Sequence, residues 1–203
     1  MASVHSDPGG ALTAHKILIA GGFGAGKTTL VSAISEVRPL LTEEPLSAAS
    51  VGKDNLAGLP GKKTTTVALD FGRITISQQL VLYLFGVPGQ ERFWFMWDEL
   101  ALGALGAVVL ADVRRLDDCF PSVSYFETRQ VPFIVAVNCF DDSPRYDLAE
   151  IRLALDLEET VPLVLCDARD QASVKETLIC LVESMSDLAL ASGRPVGGGS
   201  FSR

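Results

Sequence analysis

The sequence predicts an α/β domain built on a mixed six-stranded sheet with helices on both faces. Three observations predict it. Apolar β-type runs alternate with helical patterns along most of the chain. Most of those runs are continuously apolar, as strands buried on both faces of a parallel sheet are. Two runs, 67–76 and 80–86, stand too close together for a helix to cross between them, so they pair antiparallel.

The first expected strand is KILIAG, 16–21, followed by a helix over 27–37. A long connection, 38–63, carries Pro39, Pro45, Gly52, Gly58, Pro60 and Gly61. A connection of that size inside a compact domain is usually functional or mobile. The antiparallel pair VALDFGRITI (67–76) and LVLYLFG (80–86) comes next, then a helix near 94–104. Strands GAVVLAD (106–112), PFIVAVN (132–138) and PLVLCD (162–167) alternate with helices near 115–129, 147–155 and 171–190. Residues 1–14 and 191–203, rich in Gly, Ser and Pro, are expected to be flexible tails around one domain at 15–190.

The 203 residues suit one such domain, and 48% apolar with 21% charged residues is a globular composition. A formal charge of −8 and a pI near 4.7 argue against nucleic acid as a partner, although Lys62 and Lys63 offer a local basic patch. The four cysteines, Cys119, Cys139, Cys166 and Cys180, have no metal-ligand spacing, and with only His5 and His15 beside them no zinc site is expected. Residues 1–15 do not read as a secretory signal, and the apolar stretch 100–111 is too short to span a bilayer. The expectation is a cytoplasmic protein without direct membrane insertion, reaching a membrane through partners.

GGFGAGKT, 21–28, satisfies G-x-x-x-x-G-K-[ST] between an expected strand and an expected helix, the context that confirms this motif. Glycines let the backbone of Gly22, Phe23, Gly24, Ala25 and Gly26 turn its N–H groups toward phosphate oxygens. Lys27 supplies a point charge to the β- and γ-phosphates, the Thr28 hydroxyl a ligand for Mg²⁺, and Thr29 continues the first helical turn. The helix start adds its positive dipole end.

Four later segments extend the reading: TVALDF (66–71), GVPGQERF (86–93), NCFD (138–141) and CDAR (166–169). With the phosphate loop, and in this order at strand ends, they resemble small GTPases of the Ras-like P-loop fold over residues 15–190. The resemblance is nearest to the bacterial MglA-type branch, including the GTPases of actinomycete conservon operons, where switch II reads V-P-G-Q as residues 87–90 do. It implies a GTP/GDP switch that uses Mg²⁺. Thr66, rather than Thr64 or Thr65, would be the switch I threonine on Mg²⁺ and the γ-phosphate. The Gly89 amide would sense the γ-phosphate, and Gln90 would orient the attacking water, which with Lys27 makes the catalytic pair. Asn138 and Asp141 would form the guanine motif, with Asp167, Ala168 and Arg169 as the second base loop.

Guanine selection by Asp141 has a physical basis. A carboxylate accepts from both N1–H and the exocyclic amine of guanine, whereas adenine offers neither donor there. Asp142 competes for the role, but the spacing from Asn138 favours Asp141.

Four departures from the family pattern change details. The switch II Asp is replaced by Gly86; in MglA-type proteins an acid on the preceding strand compensates, and Asp70 stands at that position. Asp70 lies four residues beyond Thr66, so both fall on one strand face; the other reading is an edge carboxylate facing water. Phe23 takes the third loop position and would obstruct an arginine finger entering from a partner by the Ras route, so hydrolysis is expected to be slow. Cys139 replaces the lysine that covers the base. No arginine precedes Thr66 to act as an internal finger, and Arg73 and Arg92 read as packing or surface residues. The alternative function is a guanine-nucleotide-binding interaction module with little or no hydrolysis.

Phe93, Trp94, Phe95, Met96 and Trp97 are five consecutive large apolar residues. One helix cannot turn all of them inward, so part of this segment is expected to form an interface, the alternative being that all pack within the domain. The resemblance implies a Roadblock/LC7-type regulator as the partner reading it, and a sensor-kinase-like membrane protein as a second partner.

Overall fold

The computed structural model describes residues 12–38, 42–45, 66–89 and 91–192, with the backbone alone for 42–45, 66–68, 91–92, 188–189 and 191–192. Its strands are β1 (Thr13–Gly21), β2 (Thr42–Pro45), β3 (Thr66–Ser77), β4 (Leu80–Gly86), β5 (Ala104–Ala111), β6 (Phe133–Asn138) and β7 (Leu163–Cys166). They form a single mixed sheet in the order β2-β3-β4-β1-β5-β6-β7. The six expected strands are all present. The seventh, β2, lies inside the long connection and pairs antiparallel with β3, Thr42 opposite Leu69 and Pro45 opposite Thr66. Its TEEP sequence has no apolar run to announce it, because an edge strand does not need one.

The hairpin reading holds: β3 and β4 are antiparallel, while β1 pairs parallel with both β4 and β5. Parallel β5, β6 and β7 complete the sheet. Alternation along β1 splits the core in two. Ile17 and Ile19 join Leu30, Leu84, Leu110, Ile134, Leu178 and Leu181 under the helices α1 (Lys27–Ile34) and α5 (Gln171–Ser192). Leu18 and Ala20 join Trp97, Val109, Val123, Phe126, Val135 and Ile151 on the opposite face, under α2 (Trp97–Ala101), α3 (Phe120–Arg129) and α4 (Leu148–Ala154).

Two expected helices are shorter than their apolar patterns. The segment expected as 94–104 is a 3₁₀ stretch, Glu91–Met96, followed by the five-residue α2. The one expected at 115–129 opens as a second 3₁₀ stretch, Val113–Cys119, broken at Arg115 (φ −146°, ψ 57°), with α3 starting only at Phe120 beside Pro121. Proline has no N–H to give, so it is tolerated only in a first helical turn. At the ends, β1 begins at Thr13 and α5 reaches Ser192, each trimming an expected tail. No helix among the described residues is long and apolar enough to cross a membrane.

Candidate nucleotide site

β1 ends in the middle of the sheet, and its last residue, Gly21, opens the loop that leads into α1. Gly21 (φ 128°) and Gly26 (φ 106°) both hold positive φ, and a Cβ would fall 2.3 Å from the Leu110 carbonyl oxygen and 2.5 Å from Asn138 Nδ2. Glycine alone meets both demands. α1 has no side-chain cap at Gly26, so its first amides are left to a ligand at the loop. The Lys27 ammonium folds back over the loop and donates to the carbonyls of Gly21 (2.9 Å) and Gly22 (2.6 Å). Burial pulls its pKa down to about 8, with the Asp70 carboxylate opposing the shift. Thr29 is exposed on α1.

The end of β4 closes this loop from the side. Val87 N–H donates to the Ile19 carbonyl at 2.9 Å. A Cβ on Gly89 would lie 2.5 Å from the Gly21 carbonyl oxygen and 3.1 Å from Lys27 Nζ, so the backbone of Gly89 sits directly against the phosphate loop. Gln90 lies outside the described residues, as do Lys62, Lys63 and the side chain of Thr66, whose backbone starts β3.

Asp70 is 8% exposed, and its carboxylate accepts the Thr28 hydroxyl at 2.7 Å. It turns toward the phosphate loop, not toward solvent at the sheet edge. In the β3–β4 register Asp70 stands opposite Gly86, and a Cβ on Gly86 would come within 2.8 Å of the Asp70 Cβ and Oδ2. The acid present at 70 therefore fills the space of a side chain at 86. No group of three or more His, Cys, Asp or Glu among the described residues is placed to hold a metal ion by itself. A hydroxyl with one buried carboxylate suits Mg²⁺, a hard cation that keeps several waters and takes few protein ligands.

Across the phosphate loop from β4, Asn138 ends β6 and is 4% exposed. Its Nδ2 donates to the Ala25 carbonyl (2.9 Å) and its Oδ1 accepts Ala168 N–H (3.1 Å). One side chain thus ties the phosphate loop to the loop after β7. Cys139 N–H donates to the Cys166 carbonyl at 2.8 Å, which aligns the loops after β6 and β7. Asp141 and Asp142 part company here. Arg169 forks onto both Asp141 oxygens (2.7 and 2.9 Å) and also holds Asp167, which it pulls down to about 2. Asp142 instead accepts from Arg114 (3.0 Å), whose guanidinium lies 3.9 Å over the Phe140 ring and grips the buried Asp112. Asp141 therefore stands with Asp167, Ala168 and Arg169, and Asp142 does not.

The segment 93–97 divides as five such residues must. Phe93 and Trp97 are buried, whereas Trp94 and Phe95 are 37% and 54% exposed. Trp97 stacks on Phe126 and donates its indole N–H to the Pro88 carbonyl at 3.1 Å. Sequence reasoning missed Arg115, which donates to the Phe23 carbonyl. Nothing in its spacing signals this, because the contact spans two loops that only the fold brings together.

A strand-to-helix glycine loop carrying a lysine, at the carboxyl ends of a mixed sheet, beside an Asn-pinned second loop, defines a P-loop nucleotide-binding domain of the G-domain type. The chain belongs to the family described as conserved hypothetical ATP binding protein, whose model matches residues 19–188. Among solved structures it is similar to the G domain of the T. maritima FeoB iron transporter, with TM-score 0.57 and 19% identity over 87% of this chain and 99% of that one. The FeoB G domain from Methanococcus jannaschii gives TM-score 0.57 and 13% identity, over 87% of this chain and all (100%) of that one. The GDP form of the T. maritima FeoB cytosolic domain gives 0.62 and 19%, over 87% and 65%. At these identities the likeness is one of fold. An uncharacterized protein of Methanocaldococcus jannaschii is 26% identical over 128 residues, 62% of this chain and 70% of that protein.

Proposed function

We propose that this domain is a small MglA-like GTPase that works as a GTP/GDP switch, with slow hydrolysis stimulated by a partner. The observation that carries the guanine reading is Asn138, which brings the Asp141 and Ala168 loops onto the phosphate loop. Lys27 would bind the β- and γ-phosphates, the Gly89 amide would read the γ-phosphate, and Gln90 would orient water against it. Thr28, Thr66 and Asp70 would hold Mg²⁺, directly or through its waters, and its charge would offset that of the phosphates. The exposed Trp94 and Phe95 would meet a Roadblock/LC7-type regulator, with a sensor-kinase-like membrane protein as a second partner.

A second reading, ATP as the ligand, follows the family's description and has one observation in its favour: Arg169 already occupies both Asp141 oxygens. Identifying the nucleotide that co-purifies, with GTP and ATP competing for a fluorescent GDP analogue, separates the two. Displacement by ATP as readily as by GTP would sink the guanine reading. Asp141→Asn should move preference from guanine to xanthine nucleotides, because an amide donates to the xanthine C2 carbonyl. Unchanged GTP affinity in that variant would show that Asp141 does not read the base.

Gln90→Leu should bind GTP normally and hydrolyse it more slowly in a single-turnover assay, since leucine cannot orient water. Equal rates would assign the nucleophile to another group. Asp70→Ala should raise the Mg²⁺ concentration for half-maximal GTP retention about 10–100-fold, the range for outer-shell metal partners. The reciprocal test is the swap of Asp70→Gly with Gly86→Asp, because even an alanine at 70 keeps the Cβ that crowds position 86 at 2.8 Å. The swap should recover much of the metal dependence; no change in Asp70→Ala would remove Asp70 from the metal site.

A further inference from the structure

We propose that Arg115 is a cis-acting arginine: it serves the β–γ edge of bound GTP from the connection between β5 and α3. This rests on the GTPase reading above. The 3₁₀ stretch Val113–Cys119 packs directly on the phosphate loop, so closely that a Cβ on Gly22 would meet the Asp118 Cβ at 2.5 Å. Within it, the non-helical backbone at Arg115 interrupts the helical turns. The Arg115 guanidinium donates to the Phe23 carbonyl and stands 3.1 Å from where a Gly24 Cβ would be. It therefore lies across the third and fourth residues of the phosphate loop.

The neighbouring Arg114 makes the contrast. Its donors are committed to Asp112 and Asp142, and its face to Phe140. Among the described residues Arg115 has a carbonyl and a loose ion pair, Nε to Asp118 Oδ2 at 3.7 Å, and about half its side chain (51%) is exposed. Lys27 is held the same way, on the Gly21 and Gly22 carbonyls. Charged phosphate oxygens are stronger acceptors than carbonyls, so both cations transfer to them when GTP binds. Arg115 approaches from the α3 side, and the Phe23 side chain, 66% exposed, does not stand between it and the loop backbone it already touches.

In hydrolysis the bond from water oxygen to the γ-phosphorus forms and the bond to the β–γ bridging oxygen breaks. The electron pair leaves on GDP, and the water's proton goes to phosphate or solvent. Arg115 exchanges no proton; its fixed charge offsets the negative charge that builds on the bridging and γ-oxygens.

The test is single-turnover GTP hydrolysis by the full chain and by Arg115→Ala and Arg115→Lys, with GTP affinity and melting temperature measured alongside. Arg115→Ala is expected to bind GTP within a few-fold of wild type yet hydrolyse it about a hundredfold or more slowly, below the full range for arginine fingers because Lys27 remains. Added guanidinium ion should restore part of that rate, an effect a merely structural arginine would not show, and Arg115→Lys should fall between. Wild-type rates in Arg115→Ala, or a loss of GTP binding or folding with no guanidinium rescue, overturn the assignment while leaving the GTPase reading standing. A wild-type chain that binds GTP and never hydrolyses it overturns both.

Discussion

Lys27→Ala is expected to abolish tight nucleotide binding while leaving the fold intact. The Lys27 ammonium makes two hydrogen bonds inside the loop, at 2.9 and 2.6 Å, and phosphate oxygens would take both donors. Charge-assisted bonds contribute about 1.5–3 kcal/mol each, so their loss lowers affinity by at least roughly a hundredfold. Titration with a fluorescent GDP analogue reads this directly, and affinity within a few-fold of wild type would remove the loop's assigned role. Stability should move the other way. Burial lowers the Lys27 pKa from 10.5 to about 8, so below pH 8 the folded chain carries the full cost of a buried cation. Between about 8 and 10.5 the folded state releases its proton before the unfolded state does, and that cost fades. The alanine variant should thus melt no lower than wild type at neutral pH, its advantage shrinking above pH 8.

The second large effect is expected at Asn138→Ala, and it falls on stability and nucleotide release together. The side chain satisfies the Ala25 carbonyl and the Ala168 N–H in a buried setting. Truncation leaves both backbone groups unpaired at about 1–3 kcal/mol each, and with roughly 2–4 °C per kcal/mol for a domain of this size the melting temperature should drop roughly 4–24 °C. Freed from each other, the phosphate loop and the 167–169 loop should also release nucleotide faster. Calorimetric melting and stopped-flow dissociation measure the two effects. A variant that melts normally would mean that water or a neighbour replaces both bonds.

Much of this architecture was legible because it obeys simple periodicities. The apolar runs of β1, β5 and β6 are buried along both faces, and the short gap before Leu80 could hold only a hairpin. The capping box of Asp147 and Glu150 starts α4 one residue from its expected onset. The loop of 21–28 was legible for another reason: its glycines answer local backbone demands that glycine alone satisfies. What escaped were features set by distant packing. The apolar content of 94–104 and 115–129 matched helices, yet packing against the sheet and the phosphate loop left 3₁₀ turns there. The pairing of Asp70 with Gly86 was half visible, as an acid gained and an acid lost; that both share one rung of the sheet required the register. The Arg169 fork onto Asp141 and Asp167 joins two loops 28 residues apart, which no local pattern encodes.

The indole of Trp97 hangs from the Pro88 carbonyl, one residue before Gly89, and Trp94 tilts against it with ring centroids 6.2 Å apart. These are the chain's two tryptophans. The molecule therefore carries its own optical reporter at the place where a γ-phosphate would be read. Emission selects this corner without a label, with Trp97 buried among Tyr125 and Phe126 and Trp94 facing outward. Any movement of Gly89 would pull on the Pro88 bond and so change both the polarity around one indole and the energy transfer between the two. Under the switch reading, ultraviolet excitation of the unmodified chain would time the response of this corner to nucleotide.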